Sequence, residues 1–431
     1  MLELWFDFSC PYAYLASRRA SKLPTEIEWR PMLLGGIFRG LGTGDGPMAT
    51  LSPAKARHNL QDLHRWADLC DVPFRMPARH PMRTVQALRV LLALPRSRWP
   101  AAIEAIFATY WQRGEDVARD DVIAGALAGS GVPADAIAAA LRRAEDADIK
   151  DELRRHTDEA LGLGIFGAPA WIARRPGRDP TLVWGQDRIP WIEAILEGWD
   201  PDAGPPPGGP RPLRVPEAAR GAEVDVYFDV ASPFAYLALT QLAALAAAGA
   251  AARLVPILLG GLFRDVGQVD VPMLAFPPAK LRYTLREMAR WARWWGVPFD
   301  MPSKFPQRAV TAQRLAILAA DEGTAAGLRL ARALGQAMWA EQRDLEDEAT
   351  LRAILAAEGF PEGWLARTTE PALKARLAAN TAAAREAGAF GVPTFVVPPG
   401  GGAAPGGPLL FWGQDRLELV GRALAGRAWA P

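Results

Sequence analysis

The sequence predicts an α/β protein made of two tandem copies of one domain, each with an inserted helical subdomain. Three observations predict it. One phrase is written twice, FDFSCPYAYLA at residues 6–16 and FDVASPFAYLA at residues 228–238. Other phrases recur in the same order in both halves: RPMLLGGIFR and VPILLGGLFR, RWADLCDVPFRMP and RWARWWGVPFDMP, FGAPAWIA and FGVPTFVV, VWGQDR and FWGQDR. Between the halves runs PDAGPPPGGPRPLRVPEAARG, whose proline and glycine density excludes a long helix or a central strand. The expected organisation is a first domain at 1–200, a linker at 201–221 and a second domain at 222–431. A repeat of that length is a duplicated domain, too long for a solenoid unit.

Each half repeats one order of elements. A short apolar strand opens it, LELWFDF or EVDVYFDV. After a Cys-Pro or Ser-Pro turn comes a helix, YAYLASRRASKL or FAYLALTQLAALAAA, and then a second strand, IEWRPML or ARLVPILL. A long stretch with apolar residues at helical spacing follows. PAWIA or PTFVV then reads as a strand, TLVW or LLFW as its partner, and a last helix closes the copy. Strand–helix–strand, helical insertion, hairpin and helix is a thioredoxin-like order.

Composition narrows the function classes. With 49 basic against 48 acidic side chains, the net charge of +1 offers no electrostatic case for nucleic acid or an acidic membrane surface. Two cysteines, Cys10 and Cys70, make neither a disulfide framework nor a zinc site. No basic-then-apolar leader opens the chain, and the most apolar run, residues 242–263, is broken by Arg253 and Pro256. The expectation is a cytoplasmic protein. The four histidines, His58, His64, His80 and His156, lack metal spacing.

Three places carry chemistry. The first is the strand-to-helix turn, with Cys10 in one copy and Ser232 in the other. Proline at the first helical position suits its fixed φ and missing N–H. The residue before it meets unpaired N–H groups and the positive end of the helix dipole. A thiol there is expected to ionise more readily, and a serine there can donate to another molecule's thiolate or simply cap the helix. The second place is the loop at Pro169 and Pro393, where a Gly-x-Pro before a strand can hold a cis bond. The backbone of Ala168 or Val392 can then pair with an extended peptide ligand. The third is WGQDR, with Gln186 and Asp187, or Gln414 and Asp415, at a helix start, able to hold a group bearing both charges; a capping Asp beside a surface Arg is the plainer reading. Lys55 and Lys280 begin equivalent helices and can reach a carboxylate.

Together these motifs resemble the 2-hydroxychromene-2-carboxylate isomerases, which belong with the kappa-class glutathione transferases in the DsbA-like branch of the thioredoxin fold. The resemblance runs through both copies and leaves only the linker outside. It implies glutathione as cofactor. It places the active serine at Ser232, with Cys10 departing from the pattern in the first copy. It implies that Val392 and Ala168, before Pro393 and Pro169, pair with the cysteinyl backbone of glutathione. Asp415 and Asp187, beside Gln414 and Gln186, would hold the γ-glutamyl end, and Lys55 and Lys280 match the family's helix-starting lysines. Asp45 and Asp270 stand near the place of a family asparagine.

The resemblance implies a glutathione-dependent isomerase. A thiolate would add reversibly to an activated carbon–carbon double bond of a small aromatic or polyketide-like electrophile. Two other readings stand beside it: monothiol oxidoreductase chemistry through Cys10, and a non-catalytic thiol-binding scaffold. Against the first, Cys10-Pro11-Tyr12-Ala13 has no resolving cysteine. Relatives are commonly dimers, so the two halves are expected to pack as a pseudo-dimer within one chain.

Overall fold

The structure, a computed structural model, describes residues 1–44, 46, 51–269, 271–399, 407–427 and 429. In the first copy the order is β1 (Leu2–Phe6), α1 (Pro11–Ala20), β2 (Ile27–Pro31), α2 (Leu34–Gly40), α3 (Pro53–Leu69), α4 (Val85–Ala93), α5 (Trp99–Ala108), α6 (Asp120–Gly129), α7 (Ala134–Arg143), α8 (Ala147–Gly162), β3 (Ala170–Ala173), β4 (Thr181–Trp184) and α9 (Ile189–Leu196). In the second it is β5 (Glu223–Phe228), α10 (Pro233–Ala247), β6 (Ala251–Pro256), α11 (Leu259–Asp265), α12 (Pro278–Trp295), α13 (Val310–Asp321), α14 (Thr324–Trp339), α15 (Glu348–Ala357), α16 (Trp364–Arg367), α17 (Pro371–Glu386), β7 (Thr394–Val397), β8 (Leu409–Trp412) and α18 (Leu417–Leu424). The expected order is present twice.

The strands form two mixed sheets of the same plan, β2-β1-β3-β4 and β6-β5-β7-β8. The first two strands of each copy pair parallel and the later pairs are antiparallel. Burial explains why β1 and β3 read as nearly continuous apolar runs. Each is buried along its whole length, as a central strand covered on both faces must be. The one charged residue of β1, Glu3, is 2% exposed and is held by Arg174 Nε at 2.5 Å.

Contacts divide the chain into two units. Unit 1 comprises Met1–Thr50, Asp62–Gly198 and Pro277–Lys280; unit 2 comprises Leu51–Gln61, Trp199–Phe276 and Leu281–Pro431. The start of α3 therefore belongs with unit 2, and the start of α12 with unit 1. The proline-rich run also belongs to unit 2, where it lies ordered against the domain. Asp202 grips the buried Arg290 of α12 in a two-pronged pair, at 2.9 Å to Nε and 2.8 Å to a terminal nitrogen. The Arg293 guanidinium donates to the Pro201 carbonyl at 3.0 Å, and Leu213 N–H donates to Gln241 Oε1 at 2.9 Å. A segment without a helix or strand satisfies its backbone by borrowing partners from the domain it lies on.

Candidate functional site

In unit 2, Ser232 is the N-cap of α10. Its Oγ accepts from Ala235 N–H at 3.3 Å and donates to the Val392 carbonyl at 3.5 Å, and the residue is 4% exposed. The Val392–Pro393 peptide is cis. Thus the helix start and the loop before β7, which are 160 residues apart, meet at one serine. In unit 1, Cys10 has the same extended backbone and stands before Pro11, yet its side chain makes no capping bond. Its thiol donates instead to the Ala168 carbonyl at 3.1 Å, beside the cis Ala168–Pro169 peptide.

The thiol departs from the sequence expectation. Burial pushes Cys10 up to about 12, overriding the Ala13 and Tyr12 N–H groups that pull the other way, and the Asp7 charge adds to the rise. The helix start acts in the expected direction but is outweighed by desolvation. Cys10 is 6% exposed and is a neutral thiol at ordinary pH.

The WGQDR turns join the same loops. Gly185 N–H donates to the Pro169 carbonyl at 3.1 Å, and Gly413 N–H to the Pro393 carbonyl at 2.9 Å. Gly413 has φ +105°, and a Cβ there would lie 2.6 Å from Asp415 Oδ1, so only glycine fits. Gly391 is required by proximity, since a Cβ would stand 2.7 Å from Trp412 Nε1. The Trp412 ring lies 4.9 Å from that of Phe390. Packing therefore accounts for the Phe, Gly and Trp of the repeated motifs, which leaves Gln and Asp without that explanation. Gln414 is 4% exposed, and Asp415 pairs with Arg416 at 3.2 Å. In unit 1 Asp187 pairs with Arg188 at 2.8 Å, and Gln186 Oε1 accepts from Arg19 at 3.0 Å while its buried Nε2 has no acceptor.

Lys55 lies in unit 2. Its ammonium sits 5.0 Å from the centre of the Trp412 ring and 6.0 Å from that of Phe390. Burial lowers its pKa, and no carboxylate among the described residues pairs with it. Lys280 lies in unit 1. Asp45 and Asp270 lie outside the described residues. Among the described residues no group of three or more His, Cys, Asp or Glu is placed to hold a metal ion, and no helix is long and apolar enough to cross a membrane.

Several contributors escaped the sequence reading. His58 is buried, and its Nε2 accepts the Trp412 N–H at 3.1 Å, which fixes that nitrogen as the unprotonated one. Trp111 Nε1 donates to the Phe8 carbonyl at 2.9 Å, and Trp339 Nε1 to the Val230 carbonyl at 2.8 Å, so the insertion braces both turns. Asp7 and Asp229 are buried beneath those turns. The signal for the aspartates was present, since FD opens both copies of the repeated phrase.

The DSBA-like thioredoxin domain matches this chain twice, over residues 1–197 and 223–425. The chain belongs to that family. This DSBA-like chain is similar to glutathione S-transferase kappa 1 of Rattus norvegicus, 27% identical over 213 residues, covering 46% of this chain and 92% of the relative. It is also similar to 2-hydroxychromene-2-carboxylate isomerase of Sphingobium xenophagum, 27% identical over 199 residues, covering 45% of this chain and 97% of the relative. A solved selenomethionine structure of a 2-hydroxychromene-2-carboxylate isomerase matches 47% of this chain and 94% of its own at 27% identity, with a TM-score of 0.41. Each of these relatives is spanned almost whole by about half of the DSBA-like pair.

Proposed function

We propose that this protein is a glutathione-dependent isomerase whose working site is built around Ser232. The observation that carries the reading is the meeting of Ser232 Oγ, the start of α10 and the Val392–Pro393 loop. The similarity to isomerases and kappa-class transferases supports it. The residues fit the tripeptide. Lys55 offers a half-buried ammonium with no carboxylate partner among the described residues, and Trp412 Nε1 is a buried donor with no acceptor.

When bound, glutathione supplies a thiolate that adds reversibly to an activated carbon–carbon double bond, which becomes single, turns and re-forms. Ser232 exchanges its weak bond to the Val392 carbonyl for one to the sulfur. Such a charge-assisted bond contributes about 1.5–3 kcal/mol. The first N–H groups of α10 add to it. The backbone of Val392, held beside Pro393, pairs with the cysteinyl unit. Asp415 and Gln414 hold the γ-glutamyl end, and Lys55 takes a carboxylate. In unit 1 the counterparts are Ala168, Pro169, Gln186, Asp187 and Lys280, around a Cys10 that is buried and neutral. That state favours the Ser232 half as the one that runs the chemistry.

The test is titration of the full chain with reduced glutathione by calorimetry, with thiolate ultraviolet absorbance followed in parallel, for wild type, Ser232→Ala, Cys10→Ala and the double variant. The expected result is a thiolate signal that Ser232→Ala removes and Cys10→Ala leaves. A signal lost in Cys10→Ala instead would move the chemistry to Cys10, and no binding would overturn the glutathione-dependent reading.

A further inference from the structure

Asp7 and Asp229 hold the same place, three residues before Cys10 and Ser232, and both are buried, at 1% and 5% exposure. Their surroundings differ. Asp7 accepts four hydrogen bonds: Ser9 N–H and Ser9 Oγ at 3.0 Å each, Thr84 Oγ1 at 2.6 Å and Leu34 N–H at 2.8 Å. Asp229 accepts two, from Ala231 N–H at 3.0 Å and Leu259 N–H at 2.9 Å. The two missing donors are hydroxyls. Ala231 stands where the first copy has Ser9, and Ala309, at the start of α13, stands where it has Thr84, at the start of α4.

Each donor favours the charged form of a buried carboxylate, so the second copy has removed support from its own. The groups of other elements that bond Asp229 or its neighbours Phe228 and Val230 are uncharged. They include the Leu259 N–H of α11, Gln313 of α13, which bonds Val230 N–H and the Phe228 carbonyl, and Trp339 of α14 on the Val230 carbonyl. Burial raises the Asp229 carboxyl to about 6, with no charged side chain among the causes. In the first copy a charge at this position is felt by the side chain at the helix start, since the Asp7 carboxylate raises the Cys10 thiol.

Resting on the reading that a thiolate binds beside Ser232, we propose that Asp229 is the proton partner of that thiol. It takes up a proton as the thiolate forms, while at Asp7, whose carboxyl burial also raises, the Ser9 and Thr84 hydroxyls pull towards the charged form and make it the poorer proton acceptor for Cys10. The S–H bond breaks, the sulfur keeps the electron pair, and one proton, exchanged through solvent, joins a carboxylate oxygen of Asp229. Negative charge thus moves from the buried carboxylate to the sulfur without a second anion being created. The coupling is reciprocal: a neutral Asp229 lowers the pKa of the bound thiol, and a bound thiolate raises that of Asp229. Asp229 acts through charge and through the turn it holds; it is a positioning residue for Ser232.

The test uses the full chain with reduced glutathione. Calorimetry in buffers of different ionisation enthalpy counts the protons released on binding near pH 7, and thiolate absorbance is followed against pH. The variant Ala231→Ser/Ala309→Thr restores both hydroxyls without touching Ser232. It is expected to release more protons than wild type and to raise the pKa of the bound thiol by on the order of one unit, about tenfold less thiolate at a given lower pH. Asp229→Asn is expected to remove the step near neutrality from the profile. A readout without glutathione is the alkylation of Cys10 against pH, where Ser9→Ala/Thr84→Ala is expected to shift reactivity to lower pH. Equal proton release and superimposable thiolate profiles in wild type and the hydroxyl variant would overturn the inference while leaving the glutathione reading intact. Absence of any thiolate signal would overturn both.

Discussion

The thiol of Cys10 donates to the carbonyl of Ala168 at 3.1 Å, whereas Ser232 reaches the carbonyl of Val392 at 3.5 Å. The same pair of loops is thus closed by a neutral thiol in one copy and by a capping hydroxyl in the other. The substitution exchanges a group that has to lose its proton to react for one that can donate to a thiolate brought by a ligand.

The first prediction concerns Cys10. Its pKa of about 12 leaves almost no thiolate at pH 8. Iodoacetamide is expected to leave Cys10 unmodified in the folded protein at that pH, and to label it once denaturant is added. Mass spectrometry of the modified peptide reads this directly; rapid labelling of native Cys10 at neutral pH would contradict the buried-thiol description.

Two glycines of unit 2 hold the turns in place. Gly391→Ala puts a methyl 2.7 Å from Trp412 Nε1, and Gly413→Ala puts one 2.6 Å from Asp415 Oδ1 at a φ of +105°. Each is expected to cost about 1–3 kcal/mol, at Gly413 as the range for a residue held in a sparsely populated backbone region and at Gly391 as the range for overpacking against a ring. Urea unfolding midpoints, compared with an exposed control such as Gly359→Asn, measure the difference.

The linker contributes to the stability of unit 2. Asp202→Ala leaves the guanidinium of Arg290, a side chain 1% exposed, without its two-pronged partner. Burial alone would raise the Asp202 carboxyl, but the Arg290 bond and the charges of Arg290, Arg286 and Arg293 hold it below its ordinary value. The expected loss is about 1.5–3 kcal/mol, the range for a hydrogen bond to a charged group. A linker that merely tethered would show no change in thermal unfolding.

Asp229 also sets a pH dependence of stability. Its folded pKa, about 6, lies above the ordinary aspartate value of 3.8, so between those values the folded state binds more protons than the unfolded one. Stability from this group is therefore greatest below pH 4 and declines as pH rises to about 6. Against Asp229→Asn, which does not titrate, wild type is expected to lose ground across that interval and to run parallel above it. A wild type that gained stability on Asp229→Asn as pH rose through that interval would reverse the sign and refute the assignment.

Much of this molecule was legible before any coordinates. The repeated phrase, the two hairpins and the helices came from periodicity, and Pro11 and Pro233 marked helix starts because proline fixes φ wherever it stands. Such rules are local, and they hold without knowing what lies across the core. They also exposed the Cys10/Ser232 difference, because duplication lets one copy be read against the other. What the tertiary structure decided is non-local. The ionisation of Cys10 depended on how much water the fold removes from it, and desolvation overrode the helix start. The placing of Lys55 against Trp412, and of the proline-rich run against α12, depended on contacts between residues far apart in the chain. The environment of Asp229 depended on a donor absent at Ala309, 80 residues away in the chain, where the first copy has Thr84 bonded to Asp7. Sequence spacing carries the period of a helix or a strand; it does not carry the dielectric around an atom or the identity of its distant neighbours.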